Sequence, residues 1–138
     1  MPTCLSHLYK QRLHAVRHDV DAQHWVFNFS GGLVLQVSAA WRVLKGERVA
    51  VGWRDHGQLF GLAAPVDLPD RLRSLVGSGI VATATHDSAG DLAVQFENGS
   101  VLEVFNDSSG YEGWGLHGPG KRSVVAQGGG HVVESADG

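Results

Sequence analysis

A shift of 67 positions superimposes the two halves of this chain without a gap. It lays Pro2 on Pro69, Leu5 on Leu72, Leu8 on Leu75, Ala15 on Ala82, Ala22 on Ala89 and Phe29 on Phe96, then Gly32 on Gly99, Val34 on Val101, Leu35 on Leu102 and Val37 on Val104. Self-similarity at a fixed period constrains a fold before any local feature does, because each copy must build the same unit. The matched positions are mostly apolar residues of core type plus a turn glycine. Shared architecture would preserve these while surfaces diverge. At 138 residues the chain is long enough to bury one core. The expectation is a single α+β domain of two tandem pseudo-repeats, each a short helix plus about five mostly antiparallel strands. Residues 2–64 and 65–128 are the two units, and 129–138 is a glycine-rich polar tail expected to fray.

The second unit shows the local logic best. Asp67 stands ahead of Leu68, Leu72, Leu75 and Val76, an i, i+4, i+7, i+8 stripe with an N-cap residue before it and Pro69 in its first turn. Gly77 and Gly79 close the helix. Strands follow at Ile80 to His86, Leu92 to Phe96 and Val101 to Phe105, with Asn98-Gly99 as a hairpin turn. The register then places a short helix near Pro2 to Lys10 and strands at Leu13 to His18, Trp25 to Phe29 and Leu33 to Val37. Each block is followed by a tryptophan and a further hairpin. These are Trp41 to Leu44 with Arg48 to Trp53, and Trp114 to Leu116 with Ser123 to Gln127.

Bulk composition narrows the function classes. Hydrophobic residues make up 43% and charged residues 18%, and the formal net charge is −3. That composition belongs to a globular chain. The eleven Lys and Arg are scattered without a basic run, which disfavours nucleic acid as a partner. Cys4 is the sole cysteine and leaves no internal disulfide. No apolar run reaches the length that spans a bilayer, and Lys10, Arg12 and Arg17 occupy the place of a signal-peptide core. A cytoplasmic protein with no membrane partner is expected.

Two polar, aromatic, glycine-punctuated segments stand apart: Asp55 to Leu62, and the stretch Phe105 to Trp114, which has no counterpart of that length between Val37 and Trp41. They supply the candidate binding residues Asp55, His56, Gln58, Asn106, Asp107, Ser108, Tyr111 and Glu112. Asp55, His56, Asp107 and Glu112 contain the residue types of a metal site, but not at the spacing of a known ligand motif. Ser108 or Ser109 with His56 and Asp55 would make a nucleophilic triad, yet no strand-turn-helix elbow surrounds the serines. No catalytic residue, metal or cofactor is therefore assigned. Asp and Ser between glycines also cap turns through backbone hydrogen bonds. Trp114 aligns in role with Trp41, so both read as architecture. Tyr111 has no twin and reads as surface.

The motifs Asp-His-Gly-Gln-x-Phe-Gly-Leu (Asp55 to Leu62), Phe-Asn-Asp-Ser-Ser-Gly-Tyr-Glu-Gly-Trp-x-Leu (Phe105 to Leu116) and Val-Ala-Gln-Gly-Gly-Gly (Val125 to Gly130) resemble those of a bacterial domain family of unknown function. The Tyr-Glu-x-Trp hairpin is also similar to hairpins in small bacterial immunity proteins that neutralise polymorphic toxins. These resemblances and the lack of a catalytic constellation lead to the expectation of a non-enzymatic binding protein, an immunity-type inhibitor of a toxin. The alternative is a small-molecule-binding or hydrolytic domain with a pocket between the two units, lined by Asp55, His56, Gln58, Asp107, Tyr111 and Glu112. A homodimer built on the duplicated sheets is a third expectation.

Overall fold

A computed structural model describes residues 3–77 and 79–135. In chain order the strands are β1 (Thr3–Cys4), β2 (Leu13–Asp19), β3 (His24–Phe29), β4 (Val34–Val37), β5 (Ala40–Lys45) and β6 (Arg48–Gly52). The helix α1 (Leu68–Val76) follows. The remaining strands are β7 (Val81–His86), β8 (Leu92–Phe96), β9 (Ser100–Phe105), β10 (Trp114–His117), β11 (Ser123–Ala126) and β12 (Val132–Ser135). The fold is α+β, dominated by antiparallel strands. Among the described residues, no helix is long and apolar enough to cross a membrane.

Helix α1 forms for the reasons its sequence carries. The Asp67 carboxylate accepts the Asp70 amide at 3.1 Å, Pro69 sits in the first turn, and Leu68, Leu72 and Val76 are buried along one face. Gly77 ends it at φ +62°, donating its N–H to the Arg73 carbonyl. Asn98 adds a second stop. Its side-chain amide donates to the Leu75 carbonyl at 3.0 Å, and its Oδ1 accepts the Ser100 amide. In the Asn98-Gly99 turn only Gly99 has a positive φ, because the asparagine is held by these bonds.

The helix expected near Pro2 to Lys10 is a single 3-10 turn, Ser6–Leu8, and Pro2 lies outside the described residues. The flanking backbone is recruited by β7 instead. Leu5 donates to the Ala84 carbonyl and Lys10 to the Val81 carbonyl, and β1 pairs with the end of β7. Tertiary pairing takes the donors that a longer helix would need. The tail expected to fray after Gly128 instead contributes β12, paired with β11 from Val132 to Ser135.

Among the described residues the twelve strands form two six-stranded antiparallel sheets, ordered β1-β7-β8-β9-β5-β6 and β12-β11-β10-β4-β3-β2. Their inner faces share one core, in which Trp25 and Phe27 of the second sheet meet the ring of Trp41 from the first edge-on, at 5.5 and 5.2 Å. Each sheet contains a three-stranded meander and then a hairpin from elsewhere in the chain. The β5-β6 hairpin leaves β4 and pairs with β9, whereas the β10-β11 hairpin leaves β9 and pairs with β4. The crossing at Ser38-Ala39 is pinned by the Gly113 carbonyl, which accepts both amides. Helix α1 packs on β2 and β6.

The pairing registers gather one set of loops at one end of the two sheets. Trp41 pairs opposite Val104, Arg42 opposite Gly52, and Trp114 opposite both Val37 and Ala126. The chain leaving Gly52, the chain leaving Phe105 and the chain leaving Ala126 therefore emerge on the same rim.

Candidate functional site

The rim is where both candidate segments lie, and the side chains of Asp55, His56, Asn106 and Ser108 are consumed there by backbone groups. Asn106 is the clearest case. Its amide nitrogen donates to the carbonyls of Ala89 and Gln127, each at 3.1 Å, and its backbone N–H donates to the Asp91 carboxylate at 2.8 Å. The loops after β7, β9 and β11 are thereby tied together. Glycines let them approach: a Cβ on Gly90 would lie 2.7 Å from the Asn106 amide, and one on Gly113 would lie 2.7 Å from its Oδ1. That Oδ1 is buried without a hydrogen-bond partner, a cost that the other three bonds outweigh. Ser108 folds its own loop, its Oγ accepting the amides of Gly110 and Tyr111 and its carbonyl accepting that of Gly129. Asp107, Tyr111 and Glu112 remain on the surface, and Tyr111 is 82% exposed.

Asp55 and His56 anchor the base of the other segment. The Asp55 carboxylate accepts the Gly52 amide at 2.9 Å. Nδ1 of His56 accepts the amide of Leu68, the first residue of α1, at 3.0 Å, and the ring stands edge-on to Trp25 at 5.4 Å. Gln58 closes the neck through its backbone, taking the Val66 amide, while Gly57 donates to the Val66 carbonyl. Among the described residues no three of His, Cys, Asp and Glu come together as metal ligands would.

Beyond this neck the segment presents what the sequence reading did not single out, a cluster of exposed apolar side chains. Leu59, Phe60 and Leu62 project from the loop, Trp53 from its base and Val49 from the neighbouring strand. Leu59 to Leu62 is a tight turn, closed by the Leu62 amide on the Leu59 carbonyl, with positive φ at both central residues, Phe60 (+47°) and Gly61 (+77°). Turns with two positive φ values favour Asn, Asp and Gly at the first central position. This one holds a phenylalanine 65% exposed to solvent. A bulky residue in the left-handed region costs roughly 1 kcal/mol, and strain of this kind gathers at functional positions. The signal was in the sequence as Leu-Phe-Gly-Leu, within the glycine-punctuated segment Asp55 to Leu62, but its polar residues were taken as the candidates and its apolar ones were not.

Phe60→Asn is therefore expected to stabilise the protein by about 0.5–1 kcal/mol, seen as a higher urea midpoint at unchanged slope. A lower midpoint would show that Phe60 packs on the loop rather than straining it.

Where the bases of the two segments approach, a shallow hollow of ≈ 290 Å³ opens between the end of β6 and the end of β9. Trp53, Arg54, Asp55, Arg42 and Phe105 lie around it. Of the eight candidate residues, Asp55 lines this hollow; His56 is turned towards α1 and Trp25, and Asn106 and Ser108 towards the loops they hold.

A family model covers residues 22–135, from the turn before β3 to the end of β12. The chain belongs to the DUF6188 family, a family of unknown function. No curated protein and no solved structure matches it. The span shared with DUF6188 takes in the apolar loop, the Asn106 junction and all but the first two strands.

Proposed function

We propose that this DUF6188 protein is a non-enzymatic binding protein that engages a protein partner through the rim, with the loop from Trp53 to Leu62 as its principal contact. The observation that carries this reading is the exposed Leu59-Phe60-Gly61-Leu62 turn, which keeps a strained aromatic in solvent. Exposed apolar clusters rimmed by polar residues mark interaction sites, and aromatic residues dominate binding energy at interfaces. Tyr111, on the other rim loop, adds a second exposed aromatic. An immunity-type inhibitor that covers a toxin's active site fits the same surface, since such a protein needs a rigid scaffold and a protruding anchor but no chemistry of its own.

In the same reading the chain is an internal duplication. What supports it is the parallel between β2-β3-β4 and β7-β8-β9, two meanders of which each is completed by the hairpin that follows the other.

The test uses the full chain as bait against a lysate of its source cells, wild type beside a Phe60→Asp/Leu62→Asp variant, with recovered proteins quantified by mass spectrometry. Both positions are exposed, so the variant keeps its fold. A discrete protein whose recovery falls at least about tenfold in the variant is expected, the size of effect that a hot-spot pair produces. Equal recovery by both baits would remove the loop from any binding role.

A further inference from the structure

The hollow beside the loop has a chemistry of its own, and this inference rests on the docking reading above. Phe105 and Trp53 supply aromatic surface around it, and Trp53 is 44% exposed. Two guanidinium groups border it, in different states. Arg42 is committed: its Nε donates to the Glu103 carboxylate at 2.7 Å on the neighbouring strand, and its head lies over the Phe105 ring at 5.1 Å. Arg54 is exposed, and among the described residues no ion pair engages it. The carboxylate that also lines the hollow, Asp55, is turned onto the Gly52 amide. Asp55 keeps its negative charge while accepting that N–H, so the guanidinium at the hollow that no ion pair engages among the described residues is that of Arg54.

We infer that the hollow receives an acidic side chain of the partner protein, an Asp or Glu carboxylate held by Arg54 while Trp53 and Phe105 cover its apolar stem. Arginine is suited to this, because its planar fork matches a carboxylate in two parallel hydrogen bonds. The Arg42–Glu103 pair sets the strength of the site. Glu103 competes for Arg42 and holds back a second guanidinium that an incoming carboxylate would otherwise share. The strained apolar turn and the residues Trp53-Arg54-Asp55 of the carboxylate hollow belong to one segment of the chain, which fits a partner carrying an apolar pocket with an acidic residue on its margin.

Benzoate serves as the probe for a carboxylate on an apolar stem, with benzamide as the neutral control, and binding is read by NMR on the Trp53 indole N–H and the Arg54 side-chain N–H. Benzoate is expected to shift both signals and saturate in the millimolar range, as suits a fragment of this size, while benzamide shifts neither. Arg54→Gln should weaken benzoate at least about tenfold, and Glu103→Gln, which releases Arg42, should tighten it several-fold. Equal shifts from benzoate and benzamide, or no response to either substitution, would overturn the inference. The lysate capture separates the two levels. If Phe60→Asp/Leu62→Asp abolishes capture while Arg54→Gln leaves it unchanged, the carboxylate site is refuted and the docking loop stands. If neither substitution affects capture, both readings fall.

Discussion

Trp114→Ala is expected to destabilise the protein by about 4 kcal/mol, the upper part of the range for emptying an aromatic site in a core. Trp114 is 2% exposed, and its indole N–H donates to the Gly90 carbonyl at 2.7 Å. The substitution therefore leaves a cavity in the core shared by the two sheets, beside His86 and Gly90, and strips a buried carbonyl of its donor. Urea unfolding followed by far-ultraviolet circular dichroism would measure it. Trp41 provides the internal comparison. It is equally buried, but its indole nitrogen has no hydrogen-bond partner, so Trp41→Phe loses volume alone. Trp114→Phe should cost about 1–2 kcal/mol more than Trp41→Phe. Equal costs would mean that the bond to Gly90 contributes nothing.

Gly130→Ala should be comparably damaging, at about 3–5 kcal/mol. Gly130 has φ +104°, and a Cβ there would lie 2.7 Å from the Ala89 carbonyl oxygen and 2.8 Å from its carbon. Both atoms are backbone, held in the loop that Asn106 ties to its neighbours, so they cannot move aside without releasing that junction. Gly46 is the control. It also has a positive φ (+63°), yet nothing lies within 4 Å of its Cβ position. Gly46→Ala should cost only the backbone strain, about 1 kcal/mol. Similar losses for the two variants would show that the crowding at Gly130 is relieved by a small shift of the loop.

The roles of Trp114 and Gly130 were legible in the sequence to different degrees. Trp114 read as architecture from its alignment in role with Trp41, and its burial agrees. Gly130 read as part of a fraying tail. Nothing in Gly128-Gly129-Gly130 itself reveals that it lies against Ala89 and the Ser108 loop, since those partners are distant along the chain and are brought close only when β11 joins the second sheet. Asn106 shows the same limit. Its residue type and its place in an insertion marked it as a candidate binding residue, but two carbonyls supplied by other loops take its donors. In the other direction, Phe60 was visible in the sequence without its significance, because the cost it carries depends on φ, and φ at that turn follows from the neck formed by Gly57, Gln58 and Val66.

The sequence by itself determined what depends on near neighbours: α1 from Asp67 to Gly77, the alternation that makes β9 bury Leu102 and Val104 while turning Glu103 to the other face, and the turns that separate the strands. These follow from capping groups, side-chain periodicity and glycine conformation, all of which act within a few residues. Only the tertiary structure decided which sheet each hairpin enters. A strand edge offers the same row of N–H and C=O groups to any partner, so local chemistry cannot tell β4 from β9 as the neighbour of β5. The choice is made by burying Trp41 against Trp25 and Phe27. The same choice sets Trp53 and Arg54 beside Phe105 and so creates the rim on which the proposed function rests.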